Sequence, residues 1–156
     1  MICSKEEISR VCSLAMEFVG APYIWGAKPK FNEDPRSTGT DCSGFSRFII
    51  GQLVQLDGRR ILLPHGAQEQ LAFCKPVGGT PRPLDLGFGD MDLDPKDKRP
   101  IDHVIIRLTD TLVIEARGQQ KGRDYGKVIT RPVSAWEKWP GFWGWWRAPG
   151  LYADKI

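Results

Sequence analysis

The chain has 156 residues, 41% of them hydrophobic and 10% aromatic, enough for one compact domain with a proper core and too few for two comfortable ones. Its 22 basic and 19 acidic residues leave a net charge of +3, a mildly basic balance that suits an anionic surface such as a cell wall but carries no nucleic-acid signature. No window approaches the roughly eighteen apolar residues of a membrane helix, and Met1-Ile2-Cys3-Ser4-Lys5-Glu6-Glu7 lacks the basic run and unbroken apolar core of a secretory signal.

Ser4, with Glu7 three residues on, predicts a capping box, and Ile8, Val11, Cys12, Ala15, Met16 and Val19 mark one apolar helical face that stops at Gly20. Gly20-Ala21-Pro22-Tyr23-Ile24-Trp25-Gly26 follows, an aromatic turn that is either a packing corner or the wall of a cleft. Residues 27–40, with Pro29, Pro35 and Gly39, show no periodicity and read as a surface loop. Their place before Cys42 makes them a candidate rim.

Thr40-Asp41-Cys42-Ser43-Gly44-Phe45 opens the stretch around which the chain is organised. Phe45, Phe48, Ile49, Leu53 and Leu56 recur at helical spacing, so Asp41 reads as an N-cap and Cys42 as the first residue of a buried helix that Gly58 terminates. Unpaired N–H groups and the helix dipole in that first turn favour thiolate over thiol, and the thiolate is the nucleophile. Small neighbours, Ser43 and Gly44, let a carbonyl approach, and nearby N–H groups offer an oxyanion site. Read blandly, Cys42 is a small apolar residue packed at a helix end.

His65, between Pro64 and Gly66, precedes a short helix through Phe73 and reads as a loop residue or a substrate contact. Residues 75–100 are rich in Pro, Gly and Asp. Asp90, Asp92, Asp94 and Asp97 alternate as calcium loops do, but Pro95 stands where the turn Gly belongs and Ile101 where the bidentate Glu belongs, so a solvated acidic loop is expected. The period then changes to two. Residues 103–108 and 111–116 predict strands joined by a hairpin about Thr109-Asp110, with further strands at 127–133 and 143–148. Helices first and antiparallel strands afterwards define an α+β domain.

The four cysteines, at 3, 12, 42 and 74, show no C-x-x-C pairing, and free thiols are the expectation. A zinc site from His65, His103 and two thiols lacks ligand spacing. Of the two histidines, His103 opens a strand directly after a loop, where its ring can face a cleft. A histidine opposite a helix-terminal cysteine completes a thiolate–imidazolium pair, which needs a third, polar group to orient the imidazole. About a tight hairpin the position opposite His103 falls near Glu115 or Ala116, and Glu115 is the polar one; its alternative is pairing with Arg107 or Arg117.

The run from Gly20 to Gly26, Asp41-Cys42-Ser43-Gly44-Phe45, and Asp102-His103-Val104 with a polar residue twelve positions on together resemble the NlpC-type bacterial cell-wall cysteine peptidases. The resemblance spans nearly the whole chain, 1–156, as a single domain. It implies a minimal papain-like fold, with the nucleophile helix packed on a small antiparallel sheet, and peptidoglycan hydrolysis at the bond between D-γ-glutamyl and a diamino acid. Carried over, Cys42 matches the nucleophile, His103 the base, Glu115 the orienting residue and Tyr23 an active-site tyrosine. Asp41 and Ser43 match positions that in some members help bind a free stem-peptide amine, and Trp25 belongs to the same aromatic turn as Tyr23.

Glu115 departs from the family's usual His, Asn or Gln, the loop before the nucleophile is longer than usual, and Ala27 replaces a common second Gly. No metal or organic cofactor is required. The apparatus also suits acyl transfer to an amine or lipid. Trp136, Trp139, Trp143, Trp145 and Trp146 suggest a rival reading as a wall-binding module, although adjacent Trp145 and Trp146 face opposite sides of a strand and at least one belongs to the core. The missing signal points to delivery by a phage tail, a lysis system or a dedicated export machine.

Overall fold

The computed structural model describes residues 2–91, 101–119, 122 and 125–153. Helix α1, Lys5–Met16, is capped by Ser4, whose hydroxyl accepts from the Glu7 amide at 3.1 Å. The Glu7 carboxylate does not close the predicted box; it accepts instead from Arg10 and from the Val54 amide, tying the helix to the chain beyond α3. Ile8, Val11 and Ala15 are buried, whereas the helix ends before Val19, which is 45% exposed.

Helix α2, Pro35–Thr38, interrupts the predicted loop, with Asp34 as its cap. Helix α3, Cys42–Ile50, begins where expected and stops earlier, leaving Leu56 64% exposed beyond it. The Phe31 ring lies where a Cβ on Gly51 would stand, so this end of the helix is a packing site for the preceding loop. Helix α4, Ala67–Phe73, is joined to α3 by the buried Gln70 side chain, which donates to the Ser43 and Pro64 carbonyls and accepts from the Ser46 hydroxyl.

The strands are β1 Lys75–Pro76, β2 Leu86–Gly89, β3 His103–Arg107, β4 Leu112–Arg117, β5 Lys127–Pro132 and β6 Phe142–Arg147, with helix α5, Val133–Glu137, between β5 and β6. They form one antiparallel sheet in the order β1-β6-β2-β3-β4-β5. Sequence periodicity misses β1, β2 and α5. Leu86-Gly87-Phe88-Gly89 is buried at all four positions, so it has no alternation to detect. The four-aspartate stretch lies, apart from Asp90, outside the described residues.

The sheet divides the hydrophobic interior. On one face Val104, Ile106, Ile114, Ala116 and Val128 pack with Phe45, Phe48 and Ile49 of α3 and with α1. On the other, Ile105 and Val113 pack with Val133 and Trp136 of α5 and with Trp145. Trp145 is core and Trp146 only partly buried, as their adjacency requires. Full burial of each large apolar side chain contributes about 1.5–3 kcal/mol.

The β3–β4 hairpin corrects the expected register. Ile106 pairs with Ile114 and Arg107 with Val113, so the connection runs through residues 108–111 rather than a tight Thr109-Asp110 turn. Carried back along β3, this register sets Arg117 opposite His103. Glu115 lies diagonally across, on the same face of the sheet.

A Cβ on Gly44 would stand 2.6 Å from the Ala27 carbonyl and 2.7 Å from Asp41 Oδ1, both fixed groups at the start of α3. Gly44→Ala is expected to destabilise the protein by about 1–3 kcal/mol, read as a lowered thermal midpoint relative to wild type.

Candidate active site

Asp41 builds the start of α3. Its Oδ1 accepts from the Gly44 amide at 2.6 Å and from the Ser43 hydroxyl at 3.4 Å, while Oδ2 accepts from Lys28 Nζ at 3.0 Å. Its own amide is held by the Ala27 carbonyl. Both carboxylate oxygens therefore serve the fold, and Ser43 is buried at 4% exposure.

Tyr23 reaches the same place through the backbone. It bridges to Thr40 in parallel fashion, Pro22 bridges to Lys127 of β5, and the Tyr23 amide donates to the Gly126 carbonyl. These links set Tyr23 between the sheet margin and the residues just before Cys42. Burial first, then the negative charges of Cys42, Asp41 and Asp102, push its phenol up to about 12, so it is a neutral hydroxyl at any working pH.

Cys42 heads α3 on one face of the sheet, while His103 opens β3 with its side chain on the other. They meet because the helix start overhangs the strand end. The Cys42 thiol reaches the Asp102 carbonyl at 3.7 Å, which sets it beside the His103 side chain, whose charge it influences. His103 Nε2 and Glu115 Oε1 are 2.9 Å apart. An ionised carboxylate only accepts, so Nε2 carries a proton and Nδ1 is the ring atom left for the thiol.

Glu115 is 1% exposed and multiply held. Its Oε2 accepts from the Trp136 indole, and Arg117 Nη1 lies 3.5 Å from Oε1. Glu115 thus faces His103 and also lies beside Arg117, both in the interior rather than across the surface. Burial alone pushes the His103 imidazole down, but its interactions with Cys42 and Glu115 outweigh it and raise the pKa to about 10.

Tyr23, Cys42, Met91, Asp102, His103, Arg117, Gly118 and Gln119 line a cleft of about 250 Å³. The Tyr23 ring lies beside Gly118 along this wall, at ordinary van der Waals distance from where a Cβ would stand. Residues 27–40, the predicted rim, contribute Lys28 to Asp41 rather than lining to the cleft. Trp25 is 87% exposed and outside the lining. His65 is exposed before α4, its pKa lowered by desolvation and by Arg47 and Lys28. All four cysteines are free. A larger depression of about 560 Å³, bordered by Lys75, Arg82, Arg147 and Tyr152, holds neither a thiol nor an imidazole.

The sequence reading missed Arg117 as part of the cleft wall and Trp136 as a site neighbour. For Arg117 the signal was present, two residues beyond Glu115 and hence on its face. For Trp136 it was not, because α5 is only five residues long.

A cysteine at a helix start, an imidazole at a strand end and a buried carboxylate behind it make a papain-like constellation. The solved structures that resemble this chain are NlpC/P60 family proteins. One is the peptidoglycan hydrolase RipB from Mycobacterium tuberculosis, 24% identical, with 95% of this chain and 67% of that chain covered at a TM-score of 0.63. Another is RipD of the same organism, described as a non-catalytic NlpC/p60 domain protein adapted to peptidoglycan binding, 18% identical over 89% of this chain and 95% of that one at a TM-score of 0.59. At these identities the likeness shows the fold, the α+β papain-like NlpC/P60 architecture. Among curated proteins, Protein P54 of Enterococcus faecium is 32% identical over 77 residues, 42% of this chain, and the chain spans only 14% of that protein's length. No family model matches the chain.

With its raised pKa, His103 is expected to stay an imidazolium through neutral pH and to lose its proton near 10. A folded-state pKa above the ordinary value adds stability that is complete below about 6.5 and fades as pH rises through the folded value. An NMR titration of the His103 ring checks this, and Glu115→Gln should move the midpoint downward.

Proposed function

We propose that this chain is a cysteine peptidase of the bacterial cell wall, a single domain over 1–156 that hydrolyses peptidoglycan stem peptides at the D-γ-glutamyl–diamino acid bond. The observation that carries this reading is the continuous line from Cys42 through His103 to the buried Glu115, opening on a cleft beside Tyr23. The NlpC/P60 fold and the description of RipB as a peptidoglycan hydrolase support it. The proposed place of action is the cell wall, reached in a phage particle or through a dedicated export machine.

In the proposed mechanism the Cys42 proton resides on His103, in keeping with the raised pKa of that imidazole. The thiolate attacks the scissile carbonyl. Amides of Cys42 and Ser43, left over by the helix ladder, hold the oxyanion, and the Tyr23 hydroxyl borders the same space. His103 protonates the leaving amine, then takes a proton from water as the water attacks the thioester, and collapse releases the acid and returns the thiolate–imidazolium pair. Glu115 keeps the imidazole in the tautomer that serves Cys42 throughout.

Asp41 enters this mechanism as the cap that fixes the helix start. With Lys28 on its second oxygen, it meets a substrate amine as a neutralised carboxylate, so discrimination among free stem peptides by that amine is expected to be weak.

Purified wild type, Cys42→Ala and His103→Ala incubated with muropeptides and read by mass spectrometry test the proposal. Wild type should add one water across the proposed bond, and both variants should lose more than about a thousand-fold in rate. Products joined to an added amine instead of water would identify a transferase. Binding to sacculi with no cleavage by wild type would make the chain a binding domain, as RipD is described to be.

A further inference from the structure

Trp136 is 2% exposed and cannot offer a platform to a sugar. Its side chain instead touches both members of the pair behind Cys42. The indole and the His103 ring stack with centroids 5.2 Å apart and planes 28° from parallel, and Nε1–H donates to Glu115 Oε2. The other Glu115 oxygen receives His103 Nε2–H at 2.9 Å.

This arrangement removes two freedoms at once. A carboxylate bonded through one oxygen can still rotate about its last torsion, and an imidazole bonded through one nitrogen can still swing about that bond. With Oε2 on the indole the carboxylate plane is set, and with its face against the indole the imidazole plane is set. Trp136 is itself held in place: the Val133 amide at the head of α5 donates to the Thr111 carbonyl at 2.8 Å. The Arg117 guanidinium lies over the indole at 5.2 Å and over the Tyr125 ring at 4.3 Å. Three elements, β3, β4 and α5, therefore converge on one orientation of His103.

We propose that Trp136 is a positioning residue, which acts through Glu115 and His103 to keep the imidazole aligned on the Cys42 thiol. It touches neither the thiol nor the cleft. This inference rests on the reading of Cys42 and His103 as a nucleophile and base, and it extends the working site to α5, which contributes no residue to the cleft.

The test is the rate at which iodoacetamide alkylates Cys42 at pH 6, followed by peptide mass spectrometry with Cys3 and Cys74, both buried, as internal references. It needs no cell-wall substrate. Trp136→Phe keeps a ring for the stack and removes the indole N–H. That variant should lower Cys42 alkylation about ten-fold, the effect of losing one hydrogen bond to a charged group, with the far-ultraviolet spectrum unchanged. On a Glu115→Gln background the same substitution should change the rate less than about two-fold, because the carboxylate it acts through is gone.

Alkylation at the wild-type rate, or an equal loss on both backgrounds, would overturn the proposal. Should Trp136→Phe fail to fold, the Trp136 indole resonance supplies a second readout: it should shift and lose exchange protection in Glu115→Gln, and an unmoved resonance overturns the proposal as well. A separate control identifies failure of the underlying reading. If wild-type Cys42 reacts no faster than Cys42 in His103→Ala, the nucleophile–base pair itself is refuted, and the role of Trp136 falls with it.

Discussion

A carboxylate buried to 1% exposure inside a sheet is the constraint from which much of this structure follows. An unpaired charge there would cost several kcal/mol, so Glu115 must be surrounded by donors. Two donors surround it, His103 across the strand pair and Trp136 in the helix lying on that face, and Arg117 along the same strand adds its positive charge at 3.5 Å. The β3–β4 register is thereby favoured over its neighbours, since a slip of one residue would turn Glu115 toward Phe45 and Ile49. The cluster of Cys42, His103 and Glu115 is, physically, a buried acid around which the thiol and the imidazole have been assembled.

The Cys42 side depends on a different device. Asp41 fixes the first turn of α3 through the Gly44 amide, and its own amide is fixed by Ala27, so the start of the helix is defined from both sides of the chain. The bridges from Tyr23 to Thr40 and from Pro22 to Lys127 bring the tyrosine to the same point. Lys28 balances the capping carboxylate, which leaves the neighbourhood of the thiol with less negative charge than Asp41 alone would impose.

Much of this was legible in the sequence, for identifiable reasons. The start of α3 could be read because a capping residue stands directly before an apolar helical repeat, and Glu115 stood out as a charge between Ile114 and Ala116. The route from the hairpin to Glu115 was nonetheless wrong in detail: the connection is longer, and the residue opposite His103 is Arg117. The residue survives because the diagonal neighbour shares the same face. β2 was hidden by its glycines and by burial on both sides, and α5 by its length. The five C-terminal tryptophans looked alike as letters. Structure separates them into Trp136 and Trp145 in the interior, Trp146 partly buried, and Trp139 and Trp143 at 37% and 52% exposure, a distinction that composition does not carry.

The two halves of the site belong to different hydrophobic clusters, Cys42 to the one beneath α1 and α3 and His103 to the face covered by α5. The second cluster is far smaller, and a short helix covers it. Local opening of a small packing unit requires less free energy than global unfolding. Lifting α5 would release the imidazole while leaving α3, the larger core and most of the sheet intact. The alignment of Cys42 with His103 is then governed by the weaker cluster rather than by overall stability, and a population folded by every spectroscopic measure can already have its thiol and imidazole out of register.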